Sequence, residues 1–195
     1  MSTTFAATAE ASGPVWLDLA IPFGTVTVTV DPDLTNAVVA VRTTADEGPV
    51  AEAVCHSSYS EKLVSGRYCM TVTVTGARQA SPREEATLLT EVRVPGSASS
   101  LRLETSRAAL VVFGDLHVLD FSSRSGGLTT SGGVQSLKAA TTDGNVIVGR
   151  VSSHADISTS SGDITIGTSS PKELHIRTET GNVRVSAEGV TPADR

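Results

Sequence analysis

Gly126-Gly-Leu-Thr-Thr130, Gly144-Asn-Val-Ile-Val148, Gly162-Asp-Ile-Thr-Ile166 and Gly181-Asn-Val-Arg-Val185 are four versions of one short phrase, and their glycines are spaced by 18, 18 and 19 residues. Ala108 occupies the glycine position one step earlier. Two residues after each comes an aliphatic file: Leu110, Leu128, Val146, Ile164, Val183. Two further on lies a second: Val112, Thr130, Val148, Ile166, Val185. The other half of each repeat has its own files: Leu101, Leu119, Leu137, Ala155, Leu174, then Leu103, Phe121, Ala139, Ile157, Ile176. A hydroxylic file follows: Thr105, Ser123, Thr141, Thr159, Thr178.

Alternation within each half turns one face inward and the other to water, which is the mark of a strand. One repeat cannot bury its apolar side alone; stacking repeats in register makes a continuous aliphatic column. The expectation is therefore an all-β chain: a single-stranded β-solenoid (β-helix) of about five 18-residue turns from Leu101 to Val185, with a β-rich N-terminal cap. The repeating glycines are expected to supply turn conformations that a side chain would hinder. A second corner is expected near Gly114, Gly132, Gly149 and Gly167. Val92 and Val94 fall 18 residues before Leu110 and Val112, which suggests a first, incomplete turn there.

Upstream the period fails. Residues 1–13 are rich in Ala, Ser and Thr and read as a flexible N-terminus. Alternating segments at Val15–Ile21, Val26–Val30, Ala37–Arg42 and Tyr68–Val74 read as strands, and Pro49 as the start of a short helix running to about Tyr59. The organisation is thus a capping section over 14–84, repeats over 85–188 and a tail over 189–195.

Composition narrows the function classes. Of 195 residues 39% are hydrophobic but only 4% aromatic, so the core must be aliphatic and regular. The net charge of −6, with no Lys/Arg cluster, argues against nucleic acid as a partner. The longest apolar run, Ala108–Phe113, is too short for a membrane span of about 20 residues. The N-terminus lacks a basic segment followed by an apolar stretch, so a cytoplasmic location is expected. Cys55 and Cys69 are the only cysteines; their spacing suits no zinc site, and they read as buried, reduced thiols, with a disulfide as the alternative in an oxidising compartment.

Val-Arg-Val-Pro-Gly (92–96), Leu-x-Leu-x-Thr (101–105), Ser-Gly-Asp-Ile-Thr-Ile (161–166) and Thr-Gly-Asn-Val-Arg-Val (180–185) together resemble the putative-adhesin family of bacterial β-strand-repeat proteins. The similarity runs over about residues 24–188. It implies a repetitive β-solenoid without enzymatic activity, and no catalytic residues to carry over.

No catalytic, cofactor or metal site stands out. The outward file Arg102, Asp120, Lys138, Asp156, His175 alternates in charge and reads as a ladder that fixes strand register or meets a partner. Asp120 and Asp156, two strands apart, would stand about 9–10 Å from each other, near the upper limit for an inverting glycosidase pair. The repeats carry no inserted loops and Phe121 falls in an inward file, which speaks against that polysaccharide-processing reading. Asn145, Asp163 and Asn182 lack the Gly-Gly-x-Gly-x-Asp context of calcium repeats and read as a turn ladder. The last strands, carrying Leu174, Ile176, Thr178, Val183 and Val185, are candidates for end-to-end docking with a second copy or a protein partner. The function expected is a structural or interaction protein that needs no cofactor. The alternative is a glycan- or protein-binding module that uses the polar faces.

Overall fold

The structure, a computed structural model, describes residues 3–76, 80–85, 87–96, 98–169 and 171–187. Its strands are β1 (Thr3–Ser12), β2 (Trp16–Ala20), β3 (Phe23–Asp31), β4 (Asn36–Thr43), β5 (Ser58–Val64), β6 (Arg67–Thr73), β7 (Leu88–Pro95) and β8 (Ser100–Glu104). They continue with β9 (Arg107–Phe113), β10 (Leu116–Ser122), β11 (Leu128–Thr141), β12 (Val146–Thr159), β13 (Ile164–Ser169), β14 (Glu173–Thr178) and β15 (Val183–Ala187). Two short helices, α1 (Pro49–Cys55) and α2 (Pro82–Glu85), interrupt them.

All fifteen described strands belong to one mixed sheet. Eleven follow the order β1-β4-β7-β3-β9-β11-β10-β8-β2-β6-β5, while β12 to β15 extend from β11. The two ends of that path meet. The carboxylate of Glu61 on β5 accepts the backbone N–H of Glu10 on β1 at 3.0 and 3.1 Å. The sheet is accordingly barrel-like and nearly closed.

This overturns the single-stranded β-solenoid with a separate N-terminal cap. Strands β2 and β3 lie inside the sheet: Leu17 and Leu19 pair with Leu101 and Leu103, and Val26 and Val28 pair with Leu110 and Val112. The reason is apolar complementarity. Both strands alternate with the same phase as the repeat files, so they extend the aliphatic columns while hydrogen-bonding to the edge of the first repeat. Antiparallel pairs, β1 with β4, β4 with β7 and β5 with β6, then complete the sheet.

Three further readings change. Residues 3–12 form β1 in place of a flexible segment, and Ala7 and Ala9 are buried. Val92 does not lie directly before Leu110, because β3 is interposed and Val92 pairs with Val28, which pairs with Val112. The helix starting at Pro49 ends at Cys55, and the residues beyond it form β5.

Downstream, the files hold in register. Leu101, Leu119, Leu137, Ala155 and Leu174 are successive partners, as are Leu103, Phe121, Ala139, Ile157 and Ile176. From Leu101 to Ala155 and from Leu103 to Ile157 these side chains are buried. The expected second corner survives at Gly114, which turns with φ +97° between β9 and β10. At Gly132 and Gly149 the chain runs on as β11 and β12, with register shifts between Thr130 and Gly133 and between Val134 and Ser136. These irregularities let one long strand bend from one ladder into the other.

The repeating glycines serve a purpose other than the one expected. Gly126, Gly144, Gly162 and Gly181 are not in the left-handed region. A Cβ on Gly144 would instead strike the carbonyl of Gly126, one on Gly162 that of Gly144, and one on Gly181 that of Gly162. The hydroxyls of Thr141, Thr159 and Thr178 donate to the Gly126, Gly144 and Gly162 carbonyls at 3.2, 3.4 and 3.3 Å, so the hydroxylic file forms a ladder against the glycine column.

Among the described residues no helix is long and apolar enough to cross a membrane. Cys55 and Cys69 are free thiols; Cys55 is exposed and Cys69 half-buried, against the expectation of two buried ones.

Candidate functional site

The charge file is assembled by the ladder of β8, β10, β11, β12 and β14. Arg102 pairs with Asp120, Asp120 with Lys138, Lys138 with Asp156, and Asp156 with His175. Strand alternation turns these side chains outward because Leu101, Leu103 and their partners face the core. The file is longer than the repeat indicated, since Asp18 of β2 pairs with Arg102. It reads Asp18, Arg102, Asp120, Lys138, Asp156, His175, alternating in sign throughout. Periodicity could not find Asp18, which lies 84 positions before its partner. The signal available was the alternation of Leu17, Asp18 and Leu19.

Lys138 stands in register between Asp120 and Asp156, so the strand separating the two acidic residues carries a cationic one. Opposite charges in adjacent strands stabilise a sheet by roughly 0.2–1 kcal/mol per pair. Arg102 also lies 3.8 Å from Glu104 on its own strand.

At the far end of the ladder His175 Nε2 donates to Glu173 Oε1 at 2.9 Å, and His154 Nε2 lies 3.8 Å from Glu173 Oε2. The hydrogen bond from His175, together with its charge, holds the Glu173 carboxyl below its ordinary range. The same bond pushes the His175 imidazole above its ordinary value, and Asp156 adds a smaller push in that direction.

Asn145, Asp163 and Asn182 form a turn ladder. Asn145 Oδ1 accepts from the backbone N–H of Asp163 at 2.9 Å, and Asp163 Oδ1 accepts from the N–H of Asn182 at 2.8 Å. The backbone N–H of Asn182 is the main reason the Asp163 carboxyl sits below its ordinary value.

The candidate docking strands occupy an end of the sheet. Among the described residues β14 pairs only with β12, and β15 only with β13. Val183 and Val185 follow Ile164 and Ile166 in the inward files. The two isoleucines are buried, whereas Val183 is 45% and Val185 41% exposed. Leu174 and Ile176 are half-buried against the core, and Thr178 is tied to Gly162. The inward files therefore end on open apolar side chains.

A further feature comes from β2. Trp16 is half-buried on its outer face, between Cys69 of β6 and Ser100 of β8. Arg67 is brought beside it by the β5–β6 hairpin. Ser65 and Gly66, with φ of 52° and 78°, make the tight turn that sets Val64 opposite Arg67.

Comparison with known proteins agrees with this architecture. The family model described as Toastrack DUF4097 matches residues 72–193, most of the chain. The chain belongs to the Toastrack DUF4097 family. Among solved structures, one described as a putative cell adhesion protein from Clostridium sporogenes is similar at TM-score 0.54 and 7% identity, over 96% of this chain and 99% of that one. Another, described as a putative adhesin from Bacteroides fragilis, is similar at TM-score 0.51 and 10% identity, over 94% of this chain and 96% of that one. At such identities the likeness bears on the fold alone. No curated protein matches the chain. The Toastrack DUF4097 assignment begins within β6, so it takes in the whole repeat region but leaves out β2 and β3, the strands that complete the repeat's columns.

Proposed function

We propose that this Toastrack DUF4097 chain is a non-enzymatic, adhesin-like interaction protein that associates with a second copy through the open end formed by β14 and β15. One observation carries the reading: among the described residues, the inward files end in exposed Val183 and Val185, and β14 and β15 are paired on one side only. Unpaired strand edges present rows of backbone donors and acceptors that seek a partner strand. Here the edge coincides with an exposed apolar column end, so joining two copies would satisfy backbone groups and bury the valines together. The names of the two similar structures agree with an adhesive role. The alternating charges of the outward file suit register and solubility, which is consistent with a protein that acts by contact.

Sedimentation velocity over a wide concentration range tests it. The expected result is reversible association that Val183→Lys with Val185→Lys abolishes without loss of the β-sheet circular dichroism spectrum. A single monomeric species at every concentration would overturn the proposal.

A further inference from the structure

Trp16 is the only tryptophan of the chain, and it lies several strands away from β14, on the outer face of the same ladder. Leu17 and Leu19 fill the core, so alternation forces Trp16 outward. Two hollows of ≈ 240 Å³ each adjoin it and share Trp16 and Arg67. One reaches Ser100 and His117; the other reaches Lys62 and Val64. An indole packed purely for structure would be sealed by its neighbours, whereas this one keeps open space on both flanks.

The charge around the indole is opposite to that of the whole molecule. Lys62 and Arg67 are exposed cations on a chain of net charge −6, and no carboxylate lines either hollow among the described residues. Such surroundings favour an anion that also carries an apolar face. The two edges of β2 are already paired with β6 and β8, so a peptide cannot bind there by strand addition. Two small adjoining hollows on one aromatic ring suit consecutive rings of a short polymer. The electron-rich indole face attracts the C–H face of a pyranose. A guanidinium grips a carboxylate through parallel hydrogen bonds, and an ammonium adds a point charge.

We propose that the Trp16–Arg67 groove binds an acidic carbohydrate, with a sugar ring on the indole and its carboxylate held by Arg67 and Lys62. The site is independent of the β14–β15 end, and its failure would leave the association proposal standing.

The single tryptophan makes the test direct. Trigalacturonate, its methyl ester and tetraglutamate are titrated against the full chain, following Trp16 fluorescence and, in parallel, the heat of binding. The expected result is saturable binding of trigalacturonate, weakened about tenfold or more in the ester and in Arg67→Ala, as loss of a hydrogen bond between charged groups requires. Arg67 is exposed, so Arg67→Ala keeps the wild-type circular dichroism spectrum. Four results would each overturn the proposal: no saturable binding of trigalacturonate, equal affinity for the ester, unchanged affinity in Arg67→Ala, or tetraglutamate binding as tightly as the sugar.

Discussion

Gly144 lies directly over the carbonyl of Gly126, leaving no room for a methyl group between one repeat and the next. The approach is backbone against backbone, so no side chain can swing aside to relieve it.

Gly144→Ala is therefore expected to destabilise the fold by about 1–3 kcal/mol or more, the usual cost of forcing atoms into a packed site. Gly127→Ala is a graded control, because its Cβ would meet the Asn145 carbonyl oxygen at 3.1 Å and needs only a small adjustment. Urea unfolding of both variants checks the order, with the Gly144 substitution the more damaging.

Leu19 is fully buried and pairs with Val72 on one side and Leu103 on the other. Leu19→Ala should cost about 2–5 kcal/mol, as for other buried leucines. Since β2 and β3 complete the columns begun by β8 and β9, the loss should appear as one cooperative transition reported equally by probes in both halves of the chain. A fragment of residues 85–195 should fail to give a folded amide spectrum by NMR. An independently folding fragment would show that the interleaved strands are dispensable.

Lys138→Glu would set three like charges side by side, with Asp120 and Asp156 as neighbours. The expected loss is about 1–2 kcal/mol, from two attractive pairs made repulsive. It should shrink as salt is raised, because exposed charges are screened. Thermal melts at low and high ionic strength measure the difference, and a salt-independent loss would contradict the electrostatic reading.

His175 and Glu173 should titrate as a pair. His175 holds its proton more tightly folded than unfolded, so its contribution to stability is complete below the unfolded histidine range and fades as pH rises through the raised folded value. Glu173 behaves in the opposite sense. Its contribution is complete above the unfolded carboxylate range and is lost as pH falls through the lowered folded value. The pair thus stabilises β14 in the window between those two limits. In an NMR titration of the imidazole, Glu173→Gln should bring the His175 midpoint down toward the ordinary histidine value. An unmoved midpoint would show that the contact is not formed in solution.

The 18-residue files could be read directly because each depends on spacing alone. In-register pairing puts Leu119 beside Leu137 whenever two strands of like alternation follow at constant separation. The alternating charges from Arg102 to His175 were legible for the same reason. A sequence shows which face of a strand is apolar and how often the pattern recurs, so the all-β class, the inward residues and their order in the repeats were determined without coordinates.

Which strands become neighbours when they do not follow one another is a different matter. Leu17 beside Leu101, Val28 between Val92 and Val112, and Glu10 bonded to Glu61 across the seam all depend on long-range closure. Several pairings would bury the same aliphatic area, and local propensity does not choose among them. Only the tertiary structure decided that β2 and β3 enter the ladders, that the repeating glycines serve close approach and not turn geometry, and that Trp16 faces an open cationic groove. Each outcome is set by the space left after the whole sheet has closed, a quantity that no single stretch of residues carries.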